Sequence, residues 1–135
     1  MGFTGATDAA IKEISSPEFL KRRLASPNTQ IVVAEEERKL IGFASVRLTE
    51  GREAELVGIV VLERAAGRGV GTRLLRKAAD GARRRGCLRM SVKTEAANAR
   101  AIAFYKKVGF TETGRSTEKL GGARVSVQVL AKRLR

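Results

Sequence analysis

Three glycines at alternate positions form the first group of residues with an evident chemistry. Gly67, Gly69 and Gly71 follow an apolar, β-branched run at residues 59–61 and precede a stretch whose apolar residues recur at helical spacing. A glycine turn between a strand and a helix leaves backbone N–H groups unpaired, with the positive end of the helix dipole behind them. Because no Cβ keeps a ligand away, this arrangement predicts a binding site for phosphate groups.

The spacing of these glycines distinguishes between known kinds of phosphate-binding turn. A P-loop requires a lysine directly after its last glycine, but Thr72 follows Gly71. A dinucleotide-binding turn that starts at Gly67 or Gly69 requires a further glycine at position 72 or 74, where Thr72 and Leu74 stand. This chain therefore lacks a residue that defines a P-loop and a residue that defines the dinucleotide-binding turn of nucleotide-dependent dehydrogenases.

The turn resembles the coenzyme-A-binding turn of the GNAT superfamily of N-acetyltransferases, Arg/Gln-x-x-Gly-x-Gly/Ala after a strand. Its glycines fall on Gly69 and Gly71, and the leading Arg/Gln position falls on Ala66, which departs from the pattern. The resemblance implies acetyl-CoA as cofactor, with the backbone of Val60 and Val61 at the pantetheine arm and the turn at the pyrophosphate. The implied turn contacts are Arg68, Gly69, Val70, Gly71 and Thr72, with Arg73 and Lys106 as generic phosphate neighbours.

A second motif follows the next predicted strand. Asn98, Ala101, Tyr105, Gly109 and Phe110 have the spacing of the GNAT helix that carries an asparagine near the cofactor and a tyrosine placed as general acid. The two motifs together cover residues 53–110 in the order that the family has. The resemblance implies that Asn98 contacts the pantetheine arm and that Tyr105, the only tyrosine, protonates the leaving thiolate.

The reaction that the resemblance implies is transfer of an acetyl group to a primary amine by direct attack in a ternary complex. A lysine-like amine has a pKa of about 10.4 and must lose a proton, whereas a phenol with a pKa of about 10 suits donation to a thiolate. A backbone N–H at residues 59–61 can polarise the thioester carbonyl. For the base we favour Glu55, with Glu53, Ser91 and Glu95 as alternatives. An alternative interpretation is that Glu53 and Glu55 are only charged residues on the solvent-exposed face of their strand.

The length of the chain predicts a single domain, residues 1–135, and periodicity indicates its elements. We expect helices within residues 7–26, a hairpin over residues 30–48 with Gly42 at a bulge, and a strand at 53–62 before the glycine turn. A long helix, a strand, the helix from Asn98 and a last hairpin at 110–134 follow. The implied α/β GNAT fold has a mixed, mostly antiparallel sheet with a central splayed parallel strand pair flanked by helices. Its first strand is missing or shortened here, which leaves an edge for a homodimer partner to cover.

The composition limits the classes of function. The 135 residues include 27 Lys and Arg, 14 Asp and Glu and no His, which gives a formal net charge of +13. Without His the chain lacks the commonest metal ligand and general base, so no metal site is expected. One Cys and no apolar run of membrane-spanning length favour a cytoplasmic protein without a membrane segment.

The positive charge is concentrated near the predicted phosphate site, with nine basic and two acidic residues between Glu63 and Arg89. Such a field attracts coenzyme phosphates, an acidic substrate or nucleic acid. An alternative is therefore a basic RNA- or ribosome-associated binding module on the same fold, without transferase activity. Aromatic residues are only 4% of the chain, so few platforms for base stacking exist and nucleic acid is the less favoured partner. No motif specifies the acceptor, which is a small-molecule or peptide amine.

Overall fold

The computed structural model describes residues 2–5 and 28–134, and the helices expected within residues 7–26 lie outside these ranges. In the described part of the chain, seven strands form one sheet in the order β1-β2-β3-β4-β5-β7-β6. The strands are β1 (Gly2–Gly5), β2 (Thr29–Glu36), β3 (Lys39–Thr49), β4 (Glu53–Val61), β5 (Arg89–Glu95), β6 (Thr111–Leu120) and β7 (Ala123–Arg133). The helices are α1 (Val70–Arg84) and α2 (Ala99–Lys107), and a short 3-10 turn spans Glu63–Ala65.

The pairing of the strands confirms the expected fold class. β4 and β5 run parallel, and every other neighbouring pair in the described sheet is antiparallel. The first strand is present but short, since β1 has four residues and pairs with β2 at the edge of the sheet. The parallel pair is joined by a crossover through α1, which packs on the sheet.

The parallel ladder between β4 and β5 ends early. It runs from the pair Glu53 and Arg89 to the pair Leu56 and Val92, whereas β4 continues to Val61 and β5 to Glu95. The register between β3 and β4 leaves Val57 as an extra residue on β4. Such a bulge bends a strand and increases its twist. The two strands therefore separate just beyond it, which produces the expected splay.

The apolar stripe of α1 explains its position against the sheet. Its six buried residues are Val70, Leu74, Leu75, Ala78, Ala79 and Ala82, which recur at helical spacing as the sequence predicts. They join a core that includes Leu56, Met90 and Val92 of the parallel strands. Full burial of one leucine in such a core contributes about 1.5–3 kcal/mol. No helix in residues 28–134 is long and apolar enough to cross a membrane.

Gly42 lies where β3 packs closely against β4 and α1. The sequence predicts a bulge at this glycine, but the register between β2 and β3 makes Ile41 the extra residue. A Cβ on Gly42 would lie 2.8 Å from the carbonyl oxygen of Val60 and 3.0 Å from Cδ1 of Leu74. The glycine is therefore required by close packing of β3 against β4 and α1.

Candidate active site

The separated ends of β4 and β5 open into a cleft of about 670 Å³ on the side of the sheet that carries α1 and α2. The cleft is lined by β4, the glycine turn, the first turn of α1, residue 94 of β5 and one face of α2. Seven of the residues expected at the site line it: Val61, Gly69, Val70, Gly71, Thr72, Asn98 and Tyr105. The two sequence motifs, far apart in the chain, thus face each other across one cleft.

The three glycines of the turn have two different roles. Gly67 and Gly69 have φ values of 77° and 75°, a left-handed conformation that favours glycine. Gly69 is the N-cap of α1, and no side chain caps this helix end, so the first N–H groups of α1 point out of its N-terminus. Gly71 instead permits close helix packing, since a Cβ there would lie 3.4 Å from Cζ of Phe104. The helix begins at Val70, one residue before the expected start.

The peptide groups of β4 alternate between β3 and the open side of the splay. The N–H of Leu62 donates to the carbonyl oxygen of Ile41 on β3, at 2.8 Å. Because successive peptide groups of a strand point to opposite sides, the N–H groups of Ile59 and Val61 point away from β3. Ile59 and Val61 line the cleft, whereas the side chain of Val60 is on the other face and 39% exposed. Of the two valines expected at the pantetheine arm, only Val61 is brought to the cleft.

Tyr105 lies in an aromatic cluster at the floor of the cleft. Its ring centroid is 5.4 Å from that of Phe104, edge to face, and 5.7 Å from that of Phe110. The residue is only 7% exposed, and this burial raises the pKa of its phenol above the ordinary value of 10.0. The hydroxyl is therefore protonated throughout the neutral range, as a general acid requires.

Asn98 begins α2 and also reaches the cleft. Its Oδ1 accepts a hydrogen bond of 3.1 Å from the backbone N–H of Ala101, which is an ordinary helix N-cap. This confirms the expected position at the start of the helix. The side-chain oxygen of Asn98 therefore caps the helix, while the NH₂ group of the same side chain has no hydrogen-bond partner within the described residues.

Glu55 lies across the sheet from Tyr105. Its neighbours Ala54 and Leu56 are in the core beneath α1, so alternation along β4 directs Glu55 to the opposite face. There its carboxylate forms an ion pair of 2.6 Å with Arg47 on β3, and its side chain is 26% exposed. In the register of β4 and β5, Glu55 pairs with Ser91, one residue before the ladder ends. Glu55 is therefore close to the point where β4 and β5 separate, but on the face of the sheet opposite the cleft.

The other candidates for the base are less well placed. Glu53 is further from the splay and lies 3.4 Å from Arg89 in an exposed ion pair. Ser91 is next to Glu55 in the register, on the same face. Glu95 is exposed at the end of β5. None of the four candidate bases lines the cleft, so the structure separates the expected base from the expected acid.

The expected cations do not line the cleft. Both terminal nitrogens of Arg68 contact the carboxylate of Glu36 at 3.0–3.2 Å, which ties the glycine turn to the end of β2. Lys106 is 3.3 Å from Glu112, and neither Lys106 nor the exposed Arg73 lines the cleft. Arg68 does not line the cleft, although its neighbours Gly67 and Gly69 do.

Two cations that the sequence analysis did not select do line the cleft. Arg100 and Lys107 are both exposed residues of α2 and flank Phe104. Their spacing, four residues and then three, puts all three side chains on one face of a helix. This spacing is the signal in the sequence from which both cations could have been found. Ala66, which lacks the usual Arg or Gln side chain, lines the same cleft.

The sequence pattern of the acetyltransferase (GNAT) family matches residues 5–110. The chain belongs to this family. N-alpha-acetyltransferase RimI of Mycobacterium tuberculosis (strain ATCC 25618 / H37Rv) is 40% identical over 101 residues, which are 73% of this chain and 62% of that protein. The chain thus spans less than two thirds of the length of that relative.

Solved structures of other acetyltransferases share the fold of this chain. The ribosomal-protein-alanine N-acetyltransferase of Brucella melitensis is 26% identical, with a TM-score of 0.80 over 98% of this chain and 99% of that chain. A crystal structure from Bacillus anthracis str. Ames, solved in complex with acetyl coenzyme A, has the same fold with a TM-score of 0.74, at 24% identity over 84% of this chain and 66% of that chain. The GNAT family uses acetyl-CoA, and these relatives give the non-enzymatic alternative no support.

Proposed function

We propose that this protein is an N-acetyltransferase that moves the acetyl group of acetyl-CoA to a primary amine by direct attack in a ternary complex. One observation carries the proposal: the splay of β4 and β5 opens beside an uncapped, glycine-lined helix N-terminus, with Tyr105 in the same cleft. Membership of the GNAT family supports the same chemistry.

The residues of the cleft fit acetyl-CoA, which supplies an activated thioester when bound. The turn needs two left-handed glycines and has no side chain over its amides, so residues 68–72 can hold the pyrophosphate through backbone N–H groups. Arg100 and Lys107 bind the phosphates in place of the side chain that Ala66 lacks. The N–H groups of Ile59 and Val61 align the pantetheine arm and stabilise negative charge on the thioester oxygen.

The thiolate is protonated from one face of the sheet, and the amine is deprotonated from the other. The hydroxyl of Tyr105, on the cleft side, donates its proton to the sulfur of the leaving group. The acceptor amine approaches from the face of Glu55, whose carboxylate takes the amine proton directly or through water. Arg47 holds that carboxylate in place with the 2.6 Å contact. The gap beyond Leu56 lets the amine reach the thioester between the strands.

The α-amine at the N-terminus of a protein is the first acceptor to test. The 40% identical relative is named an N-alpha-acetyltransferase, and the 26% identical structure is named a ribosomal-protein-alanine N-acetyltransferase. A relative at 29% identity is named an aminoglycoside N(6')-acetyltransferase, so small-molecule amines are the second class. We further propose one domain over residues 1–135, a cytoplasmic location, in keeping with the buried free Cys87, and a homodimer that covers the sheet edge at β1.

Release of free coenzyme A thiol tests the reaction. Purified protein is mixed with acetyl-CoA and either peptides with a free N-terminal amine, the same peptides with a blocked N-terminus, or aminoglycosides. We expect thiol release with the free peptides, with mass spectrometry locating the new acetyl group on the α-amine. Release that does not depend on an amine, or none with any amine while acetyl-CoA is bound, would contradict the proposal.

A further inference from the structure

A groove of about 180 Å³ lies between α1 and the end of β7 and shares no lining residue with the cleft. Four cations line it: Arg76 and Arg83 from α1, and Lys132 and Arg133 from β7. An adjoining groove of about 490 Å³ shares Lys132 and Arg133. It adds one cation and two hydroxyls, from Arg89, Thr111 and Thr113. We call these residues together the basic surface.

The positive charge of the basic surface is only partly neutralised. Asp80 is the one carboxylate among its described lining residues, and it contacts Arg83 at 3.2 Å. Arg76 and Arg133 have no carboxylate partner within residues 28–134. Arg89 and Arg133 are directly opposite each other on β5 and β7, and the charge of Arg89 is partly compensated by its ion pair of 3.4 Å with Glu53. Arg76 and Arg133 therefore have the most charge left for an anion.

The size of the basic surface fits a polyanion better than a single phosphate. Arg76 and Arg83 are seven residues apart in α1, so their positions are separated by about 10 Å along the helix axis. None of the basic surface residues lines the acetyl-CoA cleft. A polyanion on this surface therefore leaves the cleft open, and the inference does not depend on the acetyltransferase reaction.

The chemistry of the side chains indicates which polyanion fits. Four of the five cations are arginines, whose planar guanidinium groups match phosphate oxygens in pairs. Thr111 and Thr113 donate only long hydrogen bonds, 3.4 and 3.3 Å, to β7 carbonyls, and their oxygens can accept from a ribose 2′-hydroxyl. The exposed large apolar residues of the described chain are Val60 and Leu88, too few to insert into a membrane.

We propose that the basic surface binds the backbone of double-helical RNA. Duplex RNA is recognised mainly through phosphates and 2′-hydroxyls, which requires no aromatic side chains. Single-stranded RNA binding uses base stacking, for which the 4% aromatic content leaves little provision. The low aromatic content thus favours a duplex over a single strand, and the two hydroxyls favour RNA over DNA.

The test is fluorescence anisotropy with a short labelled RNA duplex, using wild-type protein and the triple variant Arg76→Gln, Arg83→Gln, Arg133→Gln. Each phosphate contact contributes a salt slope of about −0.9 and about tenfold in affinity near 0.1 M salt. We expect the triple variant to bind on the order of 10²- to 10³-fold more weakly, with a salt slope reduced by about 3. Its affinity for acetyl-CoA should not change, which also shows that it is folded.

A charge-matched control separates a local surface from net charge. The variant Lys39→Gln, Lys119→Gln, Arg124→Gln removes three exposed cations at the hairpin ends. We expect it to bind RNA within about threefold of wild type, since long-range charge is screened within about 10 Å at 0.1 M salt. Equal losses in the two variants, or no RNA binding by wild type, would overturn the proposal. So would equal affinity for a DNA duplex of the same sequence, or preferential binding to vesicles that contain phosphatidylserine.

Discussion

The substitution Gly42→Ala tests whether close packing of β3 shapes the cleft. The new Cβ would lie 2.8 Å from the backbone oxygen of Val60 and 3.0 Å from Cδ1 of Leu74. The leucine can adjust, but the carbonyl belongs to β4 and must move with the strand. Overpacking of this kind costs about 1–3 kcal/mol, and the lower entropy of unfolded alanine offsets about 0.4–1 kcal/mol. We expect a net loss of about 1–2 kcal/mol in the free energy of unfolding.

Thermal unfolding and acetyl-CoA titration of the same variant measure the two consequences. For a chain of this length, the expected loss lowers the unfolding midpoint by about 3–10 °C. Because Gly42 pairs with Val61, whose N–H faces the cleft, acetyl-CoA affinity should fall as well. Gly114→Ala is the control, since nothing lies within 4 Å of its new Cβ, and it should be neutral or slightly stabilising. A Gly42→Ala protein as stable as the control would refute the packing argument.

Three further predictions concern the reaction. Tyr105→Phe should lower kcat by about 10²–10⁴-fold. Burial raises the pKa of this phenol above 10.0. Both kcat and the stability that the protonated phenol contributes should therefore be retained below pH 10 and lost as the pH rises further. Profiles of kcat and of the free energy of unfolding against pH check this prediction. Glu55→Gln should lower kcat by about 10²-fold without changing acetyl-CoA affinity, measured by titration, because Glu55 is across the sheet from the cleft; a weaker affinity would contradict this. Arg100→Gln should raise the KM for acetyl-CoA by about tenfold and Ala66→Gln should partly restore it, whereas Lys106→Gln, outside the cleft, should leave the KM unchanged.

Features set by local sequence could be predicted from the chain alone. The tight glycine turn, the long helix that follows it and the cap at Asn98 all depend on residues within one or two turns, and only the first residue of the helix differs, by one position. The order of strands and helices follows from hydrophobic periodicity in the same way. The parallel pair and its splay were expected from the family resemblance, and the register that ends at Leu56 confirms them.

Features set by contacts between distant residues could not be predicted. Arg68 is withdrawn from the cleft by Glu36, 32 residues earlier, and nothing in the sequence near the turn indicates that pairing. The bulge at Val57, which separates β4 from β5, depends on the register with β3. Alternation along β4 places Glu55 on one face, but only the packing of α1 decides which face is the cleft.

The cations that line the cleft could not be distinguished from their neighbours by sequence alone. Arg73 and Lys106 were expected near the phosphates, yet Arg100 and Lys107 are the ones that line the cleft. The difference between Lys106 and Lys107 is one residue, or about 100° around a helix. Only the orientation of α2, fixed by the contacts of Phe104 and Tyr105, distinguishes the two lysines.

Calorimetric titration with acetyl-CoA, at about 50 mM and about 500 mM salt, tests the central claim most directly. Free surface charges are screened at the higher concentration, whereas a cleft that holds the pyrophosphate on backbone amides depends much less on salt. We expect saturable binding of one acetyl-CoA per chain at both concentrations, retained by Tyr105→Phe. Absence of saturable binding, or binding lost at the higher salt concentration, would mean that the glycine turn is only a scaffold or a general anion site.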